Sequence, residues 1–154
     1  MKTSYENIPS PPPLPCPAEK LLPHQPPMLL IDRLIERQGD RATAIANIDK
    51  FSICYNENKG VLPEYLVEIM AQTMAAANGY DGLLSSIPPK DGFIVGLDKF
   101  HLKKLPQTDK EMIIRVVKTM EFGAMKIMEG EVFIGPMSIA SVELKVWEPP
   151  PNEE

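Results

Sequence analysis

Thirteen consecutive residues, Tyr65 to Ala77 (YLVEIMAQTMAAA), place apolar side chains on every side of a helix. A helix that is hydrophobic all round has to be buried, so the rest of the chain must wrap it. The pattern extends to one helix over Leu62 to about Leu84. Pro63 suits a first helical position, where its missing N–H costs nothing, and Gly79, Asp81 and Gly82 weaken the far end.

What surrounds the helix reads as strand. Met28 to Arg37 (MLLIDRLIER) is rich in apolar residues. Arg41 to Ile48 (RATAIANI) alternates as a half-buried strand does, and Gln38, Gly39 and Asp40 make the turn between the two. Phe51 to Gly60 (FSICYNENKG), with the turn formers Asn56, Asn58 and Gly60, reads as a loop. Four strand-like stretches follow the helix: Phe93 to Lys104, Glu111 to Glu121, Met125 to Ile134 and Met137 to Trp147. Turns separate them at Pro106 to Asp109, at Phe122 and Gly123, and at Gly135 and Pro136. One long helix with about six mostly antiparallel strands predicts an α+β domain whose sheet curls around that helix.

A chain of 154 residues fits one such domain and can bury a real core. Nine of the seventeen prolines fall in the first 27 residues, and Pro9 to Pro17 (PSPPPLPCP) can be neither regular helix nor central strand. Three regions are therefore expected: a stiff Pro-rich arm over 1–18, one domain over 19–148, and a proline-stopped tail over 149–154. The arm reads as a solvated tail or as a recruitment motif for a proline-binding partner.

The net charge of -5 and pI near 5.1 argue against bulk attraction to nucleic acid or anionic lipid. Cys16 and Cys54 match no metal-ligand spacing and make no disulfide framework, so no metal or other cofactor is expected and a reducing cytosol is the default. The opening MKTSYENIPSPPP has no apolar core and is not expected to act as a secretory signal. No apolar run approaches the roughly 20 residues that span a bilayer. The expected setting is cytoplasmic, without a membrane.

Within Tyr65 to Ala77 only Glu68, Gln72 and Thr73 are polar. Glu68 and Gln72 lie one helical turn apart and share a face. Burying an ionised carboxylate without partners is costly, so such a group shifts its pKa or finds donors. Glu68 is therefore a candidate for acid–base chemistry. The alternative is a carboxylate that serves the helix N-terminus and its dipole.

Three stretches resemble the bacterial 3-hydroxyacyl-ACP dehydratases of fatty-acid synthesis. Leu22 to Glu36 (LPHQPPMLLIDRLIE) resembles their opening, where Leu-Pro-His runs into an apolar strand ending in Asp-Arg. Glu68 to Gln72 (EIMAQ) resembles the start of their central helix, and FIVGLDKFHLKKLPQTD resembles the strand and turn that follow it. The likeness covers roughly residues 20 to 148. The segment PMLLIDR, and the absence of the usual Gly-His-Phe-Pro, look closer to a divergent branch that accompanies aryl-polyene or related pigment biosynthesis. The resemblance implies a hotdog fold, a curved antiparallel sheet around one helix. It also implies pairing of two such domains, as a homodimer or with another hotdog subunit, and sites at their interface. Glu68 takes the place of the catalytic Glu and Gln72 that of its supporting Gln. The implied substrate is an acyl thioester on acyl carrier protein or CoA, losing water to give an enoyl thioester.

Two positions depart from that pattern. The family's His, fourteen residues before the Glu, is here Cys54, and no His occurs between Asp32 and His101. The family's Gly, whose N–H polarises the thioester carbonyl, is here Pro63, which has no N–H. Amides near Glu64 and Tyr65, at the positive end of the helix dipole, are the expected substitute. Cys54 is a candidate base if its pKa is lowered, or else a structural apolar residue. His24, in the Leu-Pro-His segment, is expected beside the substrate in a structural role. A partner hotdog subunit could supply the missing His.

Lys99, His101 and Lys103 alternate with Phe100 and Leu102, and Lys104 adjoins them. On a strand they share one face, either as a docking stripe for an acidic carrier protein beside the tunnel mouth or as a solvated face. Met70, Met74, Met120, Met125 and Met128 line an adaptable tunnel or fill the core. Three activities follow: a dehydratase-like lyase, a hotdog acyl thioesterase, and a non-catalytic acyl-binding subunit of a heteromeric dehydratase.

Overall fold

The computed structural model describes residues 12–88 and 92–149. Most of the expected arm, residues 1–11, and the tail from 150 lie outside the described residues. In chain order the elements are β1 (Cys16–Pro17), β2 (Arg33–Gln38), β3 (Arg41–Ala46), β4 (Tyr55–Asn56), β5 (Gly60–Val61), α1 (Glu64–Ser85), β6 (Phe93–Leu102), β7 (Met112–Phe122), β8 (Met125–Ile134) and β9 (Met137–Trp147). Seven strands form one antiparallel sheet in the order β1-β2-β3-β7-β8-β9-β6. The short pair β4-β5 stands apart from it.

The sheet packs on α1 through β2, β3, β7, β8 and β9. Leu66, Ile69, Met70, Thr73, Ala76, Ala77 and Tyr80 recur every three or four residues and are buried against it. On the sheet side they meet a core that includes Ile114, Val116, Met128, Val132, Val142 and Leu144. The pleat fixes which face is which. Gly130 sits under Met70 and pairs with Val142, so Glu129, Glu131, Ser141 and Glu143 face away from the helix.

Four expectations need correction. The helix is not enclosed on every side by its own chain: Tyr65, Val67, Glu68, Ala71, Met74, Ala75 and Asn78 are half-buried, along one open flank. The strand expected from Met28 starts only at Arg33, because residues 28–30 bond to a helix side chain instead of a neighbouring strand. β3 does not alternate. Ala42 to Ala46 are all buried, since Thr43 and Ile45 on the outer face are covered by their cross-strand neighbours Arg115, Ile113 and Arg33. Residues 12–18 are not a solvated arm. Cys16 and Pro17 pair with Leu34 and Arg33, Cys16 and Ala18 are buried, and Tyr80 donates its hydroxyl to the Pro12 carbonyl at 3.1 Å. An edge strand tolerates the proline there because one side of it needs no partner.

Gly79, Asp81 and Gly82 do not interrupt α1, which runs to Ser85 and ends on Ser86 in the left-handed region. The loop over 51–60 contains all of the β4-β5 hairpin except Val61, and the Asn56 carboxamide oxygen accepts from the Asn58 and Lys59 amides.

Candidate functional site

The open flank of α1 borders a groove of about 390 Å³. Ala71, Met74 and Ala75 line it from the helix, Phe93 and Ile94 from β6, and Met128 and Val146 from the sheet. Leu22 and His24 form one end. Asn78, Lys126 and Glu148 form the other, where Lys126 Nζ stands 2.6 Å from Glu148. The size is that of a small-molecule site; its apolar stretch suits a hydrocarbon chain, and the charged side chains Arg37, Asp40 and Lys118 line it as well. Of the five methionines singled out, Met74 and Met128 line this groove; Met70 is core, Met125 is half-buried, and Met120 is exposed.

Glu68 does not itself line the groove; it stands 3.9 Å from His24, which does. Its carboxylate accepts a hydrogen bond from Gln72 Nε2 at 3.0 Å. Gln72 is itself buried and fully engaged. Its Oε1 accepts from the Leu30 amide at 2.9 Å, and its Nε2 also donates to the Met28 carbonyl at 2.7 Å. One carboxamide thus ties the segment over 28–30 to the helix and holds the Glu68 carboxylate. His24 Nε2 lies 3.9 Å from Glu68 Oε1, and each side chain is one-third exposed. His24 Nδ1 is buried and has no hydrogen-bond partner among the described residues.

Cys54 is fully buried, and its amide donates to the Ser52 hydroxyl at 3.3 Å. Burial pushes its thiol above the ordinary value, Ser52 pulls it down, and the Glu68 charge pushes it up again, for a net rise. A base needs the thiolate, so the expectation of a lowered pKa at Cys54 is corrected: the site favours the neutral thiol. This has a sign in stability. The folded state holds the Cys54 proton more tightly than the unfolded chain, so its contribution is complete below the unfolded thiol pKa and is lost as pH rises through the alkaline range. Urea midpoints should therefore fall between neutral pH and about pH 10, and Cys54→Ala should flatten that fall.

The oxyanion expectation also changes. Pro63 caps α1 with φ -60 and ψ -32, and the Tyr65 amide already donates to the Leu62 carbonyl at 3.2 Å. Glu64 is exposed in the first turn. The Tyr65 N–H is therefore spent within the helix start and is not a free donor.

The cationic residues of β6 do not border the groove. Lys99 and His101 face the outer side of the sheet, in a depression shared with Glu36, Glu129, Glu131 and Glu143. Lys99 Nζ stands 3.5 Å from Glu143. This face is mixed in charge and lies across the sheet from Glu68, which corrects the expectation of a basic stripe at the tunnel mouth. Lys103 and Lys104 lie exposed just past β6, their amides on the Ile139 carbonyl.

Sequence reasoning missed the partners of Gln72, the His24–Glu68 approach and the Lys126–Glu148 end of the groove. Each joins residues far apart in the chain, and no local pattern signals them.

The family model of the ApeP dehydratases matches residues 16–154. The chain belongs to the ApeP-like dehydratase family. Among curated relatives it is 31% identical over 134 residues to the 3-hydroxyacyl-[acyl-carrier-protein] dehydratase FabZ of Natranaerobius thermophilus, covering 82% of this chain and 90% of that one. It is 34% identical over 116 residues to the FabZ of Syntrophomonas wolfei, covering 70% and 73%. In structure it resembles the dehydratase heterocomplex ApeI:P from Xenorhabdus doucetiae, with a TM-score of 0.78 at 17% identity, over 88% of this chain and 93% of that one. A hypothetical thioesterase with coenzyme A from Streptococcus pneumoniae matches with a TM-score of 0.61 at 9% identity, over 75% and 86%. These two likenesses show the fold, and the hotdog architecture of this ApeP-like chain is shared by dehydratases and thioesterases. No helix among the described residues is long and apolar enough to cross a membrane.

Proposed function

We propose that this ApeP-like protein works in the dehydration of 3-hydroxyacyl thioesters, with Glu68 delivering the proton that leaves with the hydroxyl. The observation that carries this reading is the Gln72–Glu68 arrangement next to His24, a residue of the groove wall, in a member of a dehydratase family. A departing hydroxyl needs a positioned acid, and a carboxyl group held by one amide donor, one-third exposed beside a cavity, is placed for that work. The FabZ relatives are named for acyl carrier protein substrates, so a carrier-bound chain is the proposed form. A cytoplasmic setting accords with such a carrier.

A second hotdog subunit is proposed along β6. That strand ends the sheet and exposes Phe93, Ile94, Val95 and Leu97, whose apolar surface and free backbone edge invite a further strand. The structural neighbour from Xenorhabdus doucetiae is a dehydratase heterocomplex, and a heteromeric pairing is proposed here too.

The test is formation of enoyl thioester from 3-hydroxyacyl-ACP by the full chain, alone and with a co-produced hotdog partner. Glu68→Gln should lower the rate about a hundredfold, since it keeps the hydrogen bond to Gln72 and removes the transferable proton. Release of free thiol in place of enoyl product would replace this reading with the thioesterase one. An undiminished rate in the Glu68→Gln pair would leave the chain as a non-catalytic subunit.

A further inference from the structure

We infer that His24 accepts the C2 proton of the substrate, in the same chain as the Glu68 that protonates the leaving hydroxyl; this rests on the dehydratase reading above. The chain holds two histidines, and His101 lies across the sheet from the groove. The thiol that stands at the family's His position, Cys54, is buried and held neutral. His24 alone brings an imidazole to the groove mouth.

Its geometry is that of a working group more than of a packed one. Buried ring nitrogens are normally hydrogen-bonded, which fixes the tautomer. Here Nδ1 is buried without a partner among the described residues, and Nε2 lies 3.9 Å from Glu68, too far for a hydrogen bond. Neither the carboxyl group nor the imidazole is consumed by the other. Yet 3.9 Å is less than two hydrogen-bond lengths, so adjacent substrate groups, C2–H and the hydroxyl on C3, can each face one of the two. The two groups are also fixed by one device. Gln72 bonds Glu68 directly and bonds Met28 and Leu30, in the segment that continues from His24.

The step balances within this pair. The Nε2 lone pair of neutral His24 takes the C2 proton, and the C2–H electrons become the C2=C3 double bond. The C3–O bond breaks with its electrons on oxygen, which takes the proton of Glu68 and departs as water. Imidazolium and carboxylate remain as neighbours. Return of the proton from Nε2 to Oε1 over the released water resets both groups with no other reactant.

The experiment compares His24→Ala and His24→Gln with the wild-type full chain, paired with its hotdog partner where activity needs one. Enoyl formation from 3-hydroxyacyl-ACP is followed, with thermal melting to check folding. Both variants should lose about a hundredfold or more in kcat, and added imidazole should return about tenfold of it to His24→Ala. A packing role predicts that His24→Gln restores the rate and that imidazole does nothing. The inference is overturned by either variant working within about threefold of wild type, or by a loss that imidazole leaves untouched in folded protein. The base then comes from elsewhere, such as the partner subunit. An inactive wild type, alone and paired, would instead remove the dehydratase reading, and this role with it.

Discussion

Gly79→Ala is expected to cost about 3 kcal/mol or more of unfolding free energy, where helix propensity alone predicts a gain of about 1 kcal/mol. Gly79 lies inside α1, two turns before its end, and the chain segment over 18–24 crosses it at backbone distance. A Cβ at this position would fall on the Leu21 carbonyl oxygen, 2.9 Å from its carbon and 3.3 Å from its Cα. Those are backbone atoms, and they are held. The Leu21 and Leu22 amides both donate to the Ala18 carbonyl, and Ala18 donates to Asp32. The clash therefore has to shift either the helix or the segment that carries His24. Gly130→Ala makes the contrast. Its Cβ would meet Met70 Sδ at 2.6 Å, an atom that can swing aside, and Met70 Cβ at 3.0 Å, where the helix has to give by a few tenths of an ångström. That variant should lose about 1–2 kcal/mol. Urea midpoints for the two variants check the order, and a stabilised Gly79→Ala would show that the segment yields freely. Activity should fall with Gly79→Ala as well, because His24 moves with Leu21.

The ends of β8 and β9 are legible from sequence to the residue, since Gly123 and Gly135 supply the left-handed turns that alternating strands require. The single helix and its polar pair are legible too, because Glu68 and Gln72 stand out against an apolar background and their spacing puts them on one face. What was illegible depends on the third dimension. Residues 28–30 carry the composition of a strand, yet Gln72 captures the Met28 carbonyl and the Leu30 amide first. Cys16 and Pro17 read as arm because proline density masks an edge pairing with β2. Alternation could not show that β6 shifts register between Asp98 and His101, where Lys99 has a positive φ, nor which sheet face Lys99 and His101 take, which the Gly130–Met70 contact decides. The approach of His24 to Glu68 joins the loop before β2 to the first turns of α1, a closure set by tertiary packing alone.

Gln72→Leu is expected to lower the unfolding free energy by about 3–4 kcal/mol although leucine fills a similar volume and favours helix. The cost comes from what is left behind. The Leu30 amide loses its acceptor at 2.9 Å and the Met28 carbonyl its donor at 2.7 Å, at a side chain only 1% exposed. Each orphaned buried group forfeits its desolvation, about 1–3 kcal/mol apiece, and water has no easy route in. Gln72→Glu separates the two functions of this residue. A carboxylate at position 72 still accepts from Leu30, but it cannot donate to Met28 when ionised, and it sets a like charge against Glu68. Gln72→Glu should thus be less stable above the carboxylate pKa range than below it, since protonation restores a donor and removes the repulsion. Unfolding curves at neutral and mildly acidic pH measure both effects. A Gln72→Leu protein as stable as wild type would mean that residues 28–30 find other partners, and that Glu68 is not held through this hub.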